Sequence, residues 1–216
     1  MNTKRILSWG AFILVIILIV WGMIAAANKA KRETAGIAPV DQVAATDWVK
    51  EATSSPSVTL VEYSDFQCPA CALYFPVVEK LLAEKGDKVR FVYRHFPLPQ
   101  HGNAIPASQA SQAAGNQGKF WEMYAMLFET QTDWENAANA KAIFSGNAAK
   151  LSLDMTKYAI DVESQANLDK INNDTKSGLK AGVNSTPTFY LNGKKITPND
   201  YEEFKKLIDE AAAANS

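Results

Sequence analysis

Thiols and imidazoles are scarce in this chain: its 216 residues carry two cysteines, Cys68 and Cys71, and only two histidines, His95 and His101. A framework of structural disulfides is excluded, because no third thiol exists to pair with either cysteine. A zinc site built on the pair would need two more ligands, and only the two histidines are there to supply them. Charge of one sign is not in excess either. Lys and Arg number 22 against 23 Asp and Glu, a formal net charge of -1, so no basic face points to nucleic acid. Between Ile6 and Ala27 charge is missing altogether.

That uncharged stretch contains an unbroken apolar run from Phe12 to Val20. As a helix rising ~1.5 Å per residue, residues 6–27 would be roughly 33 Å long, enough for a bilayer core of about 30 Å. Trp9 and Trp21 lie near its ends, where aromatic belts are favoured. Ala25-Ala26-Ala27 also offers a signal-peptidase site, but the apolar region exceeds the usual signal core of about 7–15 residues. The expectation is an N-terminal transmembrane anchor over 1–27. Lys4 and Arg5 precede it and Lys29, Lys31 and Arg32 follow, so flanking charge does not fix its orientation. Residues 28–55, rich in Ala, Thr and Ser, read as a linker, with Trp48 and Val49 as a short lead-in to the domain.

A composition with 47% hydrophobic and 21% charged residues suits one ordinary core. The folded domain is expected over 56–213. Val58–Tyr63 is a β-rich run that reads as a largely buried strand. A helix starts at about Cys68, with Pro69 in its first turn, Leu73, Val77 and Leu81 on one face, a kink at Pro76 and an end at Gly86. Lys88–His95 alternates as a second strand. From 101 to about 180 the apolar positions fall at helical spacing, with Ile105–Ala114 and Phe120–Phe128 the best candidates. Thr188–Leu191, an Asn192-Gly193 turn and Lys195–Thr197 then form a hairpin, and a helix from about Asn199 closes the chain. The fold class is α/β, with strands bracketing a helical insertion.

At a helix start, Cys68 lies near unpaired backbone N–H groups and the positive end of the helix dipole, which favour thiolate, the attacking species. Pro69 has no N–H, so the donors come from Ala70, Cys71 or beyond. Cys71, one turn on, is close enough to close a ring and resolve a mixed disulfide. The arrangement points to thiol–disulfide exchange with another molecule. Glu62 falls on a strand that alternation buries, where an unpaired carboxylate is costly and its pKa rises. An edge position with the carboxylate in solvent is the competing reading. Pro187, between a polar turn and a strand, is an unusual place for proline unless its missing N–H is useful.

The strand, Cys-Pro-Ala-Cys, helix sequence, with Pro76 five residues after Cys71, resembles the thioredoxin fold. The long helical insert, the Val61–Pro69 segment and the Gly182–Phe189 segment are similar to the DsbA-like thiol:disulfide oxidoreductases. That resemblance implies a cis Thr186-Pro187 bond beside the cysteines, the alternative being a trans proline that starts a strand. It implies that Thr186, Pro69 and Ala70 meet an extended substrate chain, and that Glu62 shuttles the proton of Cys71. It also implies no cofactor beyond the Cys68–Cys71 disulfide, exported proteins with free thiols as substrates, and a membrane partner that reoxidises the site. The dipeptide Pro69-Ala70 departs from the Pro-His of the family's strong oxidants. The expected protein is therefore a disulfide oxidase on the extracytoplasmic side of the cell membrane. A reductase or isomerase on the same scaffold, and a non-enzymatic binding module or chaperone, remain open alternatives. His95 and His101 read as satisfied surface or core residues, and Phe120–Phe128 as core of the insert.

Overall fold

The computed structural model describes residues 16–24, 40–53 and 55–215, and divides the chain into Met1–Ile37 and Ala38–Ser216. In the first unit, residues 16–24 are helical, with Ile17, Trp21 and Met23 exposed. No helix among the described residues is long and apolar enough to cross a membrane. Most of the span expected at 6–27 lies outside the described residues, as do 28–39 of the expected linker.

The second unit is built on a five-stranded sheet among the described residues, in the order β1-β3-β2-β4-β5. Its centre is β2 (Val58–Ser64), parallel to β3 (Val89–His95) and antiparallel to β4 (Thr188–Leu191). β1 (Trp48–Lys50) and β5 (Lys194–Ile196) form the edges, each antiparallel to its neighbour. Within the expected linker over 28–55, Trp48 and Val49 lead into the domain as the sequence suggests. Residues 48–50 are an edge strand, because Trp48 stacks on Phe120 at 4.3 Å and Val49 packs below the sheet. Helix α1 (Pro69–Lys85) crosses between β2 and β3 and runs through Pro76 to its end at Gly86. β4 and β5 join through Asn192 (φ 48°) and Gly193 (φ 79°), a turn that favours just these two residues. The last helix, α8, is Tyr201–Ala213.

Period-two alternation sorts the sheet's side chains into two cores. Leu60, Phe91 and Tyr93 join the larger one with α1, α8 and the insert, while Val61, Tyr63, Val92 and Tyr190 form the smaller. Each large apolar side chain so buried contributes about 1.5–3 kcal/mol. The insert consists of α2 (Ala104–Gly115), α3 (Phe120–Glu129), α4 (Gln131–Trp134), α5 (Ala140–Lys150), α6 (Met155–Asp161) and α7 (Gln165–Ala181). Helix α2 is buried through Ala107, Ala110, Ala113 and Ala114, small residues that let α3 come close. Helix α3 turns Phe120, Met123, Tyr124, Leu127 and Phe128 inward.

Arg94 is the least expected member of the core, with a side chain at 0% exposure. It donates to Asp47 at 2.7 Å, to the Tyr63 hydroxyl at 3.0 Å and to the Gln42 carbonyl. Lys170 reaches the same Asp47 at 3.3 Å and Asp174 at 2.5 Å. Burial opposes ionisation of Asp47, but the Arg94 hydrogen bond and the charges of Lys170 and Arg94 hold its pKa below the usual range.

Candidate active site

The cysteines lie where β2 passes into α1, at the end of the sheet where the loops after β2 and β3 meet the loop before β4. Cys68 is the N-cap of α1 (φ -71°, ψ 121°) and Pro69 its first residue. Its N–H donates to the Asp65 carbonyl at 3.0 Å, and its own carbonyl accepts the first helical bond, from Ala72, at 3.1 Å. Both cysteines are free thiols. Cys68 is 6% exposed and Cys71 fully buried, while Pro69 and Ala70 face solvent.

Opposite Cys68 stands the Thr186-Pro187 bond, which is cis. Gly182, at φ 84°, ends α7 and turns the chain into this loop, a conformation that glycine adopts without steric cost. The Cys68 thiol donates to the Thr186 carbonyl at 3.4 Å, a bond open only to the protonated sulfur. Beside Pro187 a cleft of about 170 Å³ is lined by Tyr74, Thr188, Phe189 and Ile196. A larger cavity, about 230 Å³, lies in the insert among Pro106, Phe144, Met155 and Tyr158, and holds none of these site residues.

The two sulfurs ionise very differently. The Cys71 thiol, donating to Cys68, is the largest influence on it. Burial opposes ionisation, and the Thr186 hydroxyl and the backbone N–H groups of Cys71 and Ala70 favour it. Together they bring Cys68 from 9.0 down to about 5. Burial pushes Cys71 well above its ordinary value, reinforced by its hydrogen bond to Cys68 and the Glu62 charge. The sequence expectation of an N-terminal donor set at Ala70 and Cys71 thus has its structural counterpart.

Glu62 is 2% exposed, so the solvent-facing reading does not hold. It pairs across the sheet with Tyr93 and Phe189, and its Oε2 has no hydrogen-bond partner. Burial raises its carboxyl to about 7, against the Ser64 hydroxyl and with the charge of Cys68 adding to the rise. Tyr93 and Tyr124 complete this pocket, and burial followed by the Glu62 charge keeps both phenols neutral.

The structure thus brings Glu62, Cys68, Cys71, Thr186 and Pro187 together, with Pro69 and Ala70 on the rim. The histidines part company. His95 is buried against Gln112 at 2.7 Å, whereas His101 meets Asp65, three residues before Cys68, at 2.6 Å. Asp65 also accepts from the N–H groups of Gln67 and Leu98, making it the knot of the cysteine loop. Sequence reasoning passed over Asp65, Gln67, Asn103 and Gln131. An acidic residue three before a helix-starting cysteine was the one signal available, whereas partners 36 to 68 residues apart left none. Among the described residues no group of three or more His, Cys, Asp or Glu could hold a metal.

Comparison with known proteins locates the fold. A family described as Thioredoxin matches residues 53–210. The crystal structure of oxidised BdbD from Bacillus subtilis superposes with a TM-score of 0.65 at 26% identity, over 76% of this chain and 92% of that one. Wolbachia pipientis alpha-DsbA1 gives 0.68 at 20% identity, over 80% and 94%, a likeness of fold. Among curated proteins, a Na(+)/H(+) antiporter NhaA of Herminiimonas arsenicoxydans is 37% identical over 139 residues, and NhaA 1 of Mycolicibacterium gilvum 35% over 150. The matches cover 64% and 69% of this chain but only 21% and 24% of those antiporters, so the chain spans about a fifth to a quarter of these relatives.

Proposed function

The chain belongs to the thioredoxin family, and from that premise we propose that it is a membrane-tethered disulfide oxidase acting on exported proteins through Cys68 and Cys71. The observation that carries the reading is geometric: Cys68 caps α1 beside the cis Thr186-Pro187 bond with Cys71 buried one turn on, a setting that lowers the pKa of Cys68 and raises that of Cys71. A low pKa makes Cys68 the better leaving group and stabilises the dithiol form, so the disulfide form is a strong electron acceptor.

The exchange follows from the geometry. A substrate thiolate attacks Cys68 of the Cys68–Cys71 disulfide; the S–S bond breaks, and Cys71 leaves as a thiolate. Buried, it takes a proton, for which Glu62 at about 7 is the neighbouring donor. A second substrate thiolate attacks its own sulfur in the mixed disulfide and expels Cys68, which departs as the stabilised anion. Two electrons have passed to the protein, and the substrate holds a disulfide. The backbone of Thr186 faces Cys68 and offers an extended substrate a strand to pair with. Reoxidation requires a partner disulfide, which we place in the membrane. The tether rests on the apolar stretch 6–27. We place the catalytic domain on the extracytoplasmic side, where disulfides persist.

The test is equilibration with glutathione buffers together with oxidation of a reduced, unfolded substrate. The expected reduction potential lies above about -200 mV, on the oxidising side of glutathione. Cys71→Ala should accumulate substrates as covalent adducts on Cys68. A potential near that of thioredoxin, about -270 mV, would favour the reductase reading, for which the absence of a basic residue at Pro69-Ala70 speaks. Full function in Cys68→Ser would instead identify a binding module.

A further inference from the structure

We infer that Gln131, contributed by the helical insert, is a positioning residue for the nucleophilic sulfur: its carboxamide fixes the turn that presents Cys68 to its stabilising donors. The inference rests on the reading of Cys68 as the attacking group. Gln131 is 6% exposed, and its Nε2 donates to two carbonyls of the cysteine loop, Phe66 at 2.6 Å and Cys68 at 3.1 Å. The two hydrogens of one amide nitrogen are thus spent on peptide groups two residues apart. Holding both carbonyl directions constrains the backbone of Gln67 and Cys68 between them, and with it the place of Sγ relative to the N–H groups of Ala70 and Cys71. A carboxylate would offer no donor to either carbonyl and a hydroxyl only one, whereas the amide supplies both without placing a charge at a buried position.

The support under Gln131 is stiff. It opens the four-residue α4, whose other end, Trp134, is fully buried, donates to the Leu127 carbonyl at 3.0 Å and packs edge-on against Phe144. Asn103 donates to the carbonyls of Trp134, Glu135 and Ala137, and Gln67 bridges Asn103 and Glu135 at 2.6 and 2.7 Å. The insert therefore grips the cysteine loop twice. Gln67 joins loop to insert without touching the Phe66 or Cys68 carbonyls, and Gln131 holds those carbonyls themselves. The pair provides an internal control.

The experiment measures iodoacetamide alkylation of Cys68 against pH, located by peptide mass, in the reduced full chain and in Gln131→Met and Gln67→Met. Methionine keeps the volume and removes both donors. For Gln131→Met the expected midpoint lies about one pH unit above wild type, close to a tenfold loss of thiolate below both midpoints, with a parallel shift of the glutathione equilibrium toward the protein disulfide. Gln67→Met should lose thermal stability and keep the wild-type midpoint. A low wild-type midpoint shared by Gln131→Met overturns the inference alone, whatever the melting temperature. An ordinary thiol midpoint in the wild type overturns it together with the functional reading. If Gln131→Met fails to fold, Gln131→Asn withdraws the amide by one methylene and carries the same test, an unmoved midpoint again being fatal.

Discussion

Glu62 shows how much a single carboxyl can be made to carry. Its folded pKa of about 7 exceeds the ordinary 4.5, so between those values the native state binds more protons than the unfolded chain. Stability attributable to this group is therefore highest below pH 4.5, declines up to about pH 7 and is constant above. Glu62→Gln removes the ionisation. It should raise stability at pH 8 by on the order of 2–3 kcal/mol and leave it nearly unchanged at pH 4, as urea titrations at the two pH values would show. The same variant should slow release of Cys71 from the disulfide, because its neighbouring proton donor is gone. Stabilisation at pH 8 equal to that at pH 4 would mean that the carboxyl is not titrating in the fold. Strand alternation suggested a buried position 62 but left the solvent-facing reading open, and its place beneath Cys71 came from the family resemblance. What the spacing could not reveal was the absence of a partner for Oε2, which depends on side chains from β3 and α3.

At the scale of elements, the strand–cysteine–helix unit, the insert and the Asn192-Gly193 hairpin were all readable, because each has a local cause: alternation, helical spacing, a turn-forming dipeptide. β1 was not, since three residues of a short edge strand leave too little period to detect, and its place depends on distant contacts. Trp48 lies flat on Phe120 and against the end of α2, where a Cβ added to Gly115 would enter the indole ring. Gly115→Ala should accordingly cost about 1–3 kcal/mol by thermal melting, although alanine is the better helix former. A gain in stability would show that Trp48 is free to move away. Helix α4 was equally invisible, having four residues and a role defined by partners far along the chain.

For the whole molecule, the buried ion cluster ties the segment before β1 to the sheet. Asp47 precedes the domain expected over 56–213, yet it answers both Arg94 and Lys170. Asp47→Ala removes the carboxylate that pairs with both Arg94 and Lys170 and should destabilise by about 3–5 kcal/mol in denaturant titration, far more than loss of a surface pair. Because its pKa is depressed, the stability Asp47 supplies is present above 3.8, its ordinary value, and is lost as pH falls through the lower folded one. A chain starting at residue 40 should fold, and one starting at 52 should not. Arg94 could not be recognised beforehand: on an alternating strand it looks like a solvent-facing cation, and only the loop carrying Gln42 and Asp47 roofs it over.

The recessed seat of Cys68, at 6% exposure beside a wholly covered Cys71, has a kinetic corollary. A thiol on a slender, extended segment can approach it more closely than one set in the surface of a folded globule. On the proposed oxidase reading, accessibility would then favour polypeptides caught early in maturation over mature ones, before any recognition of sequence begins.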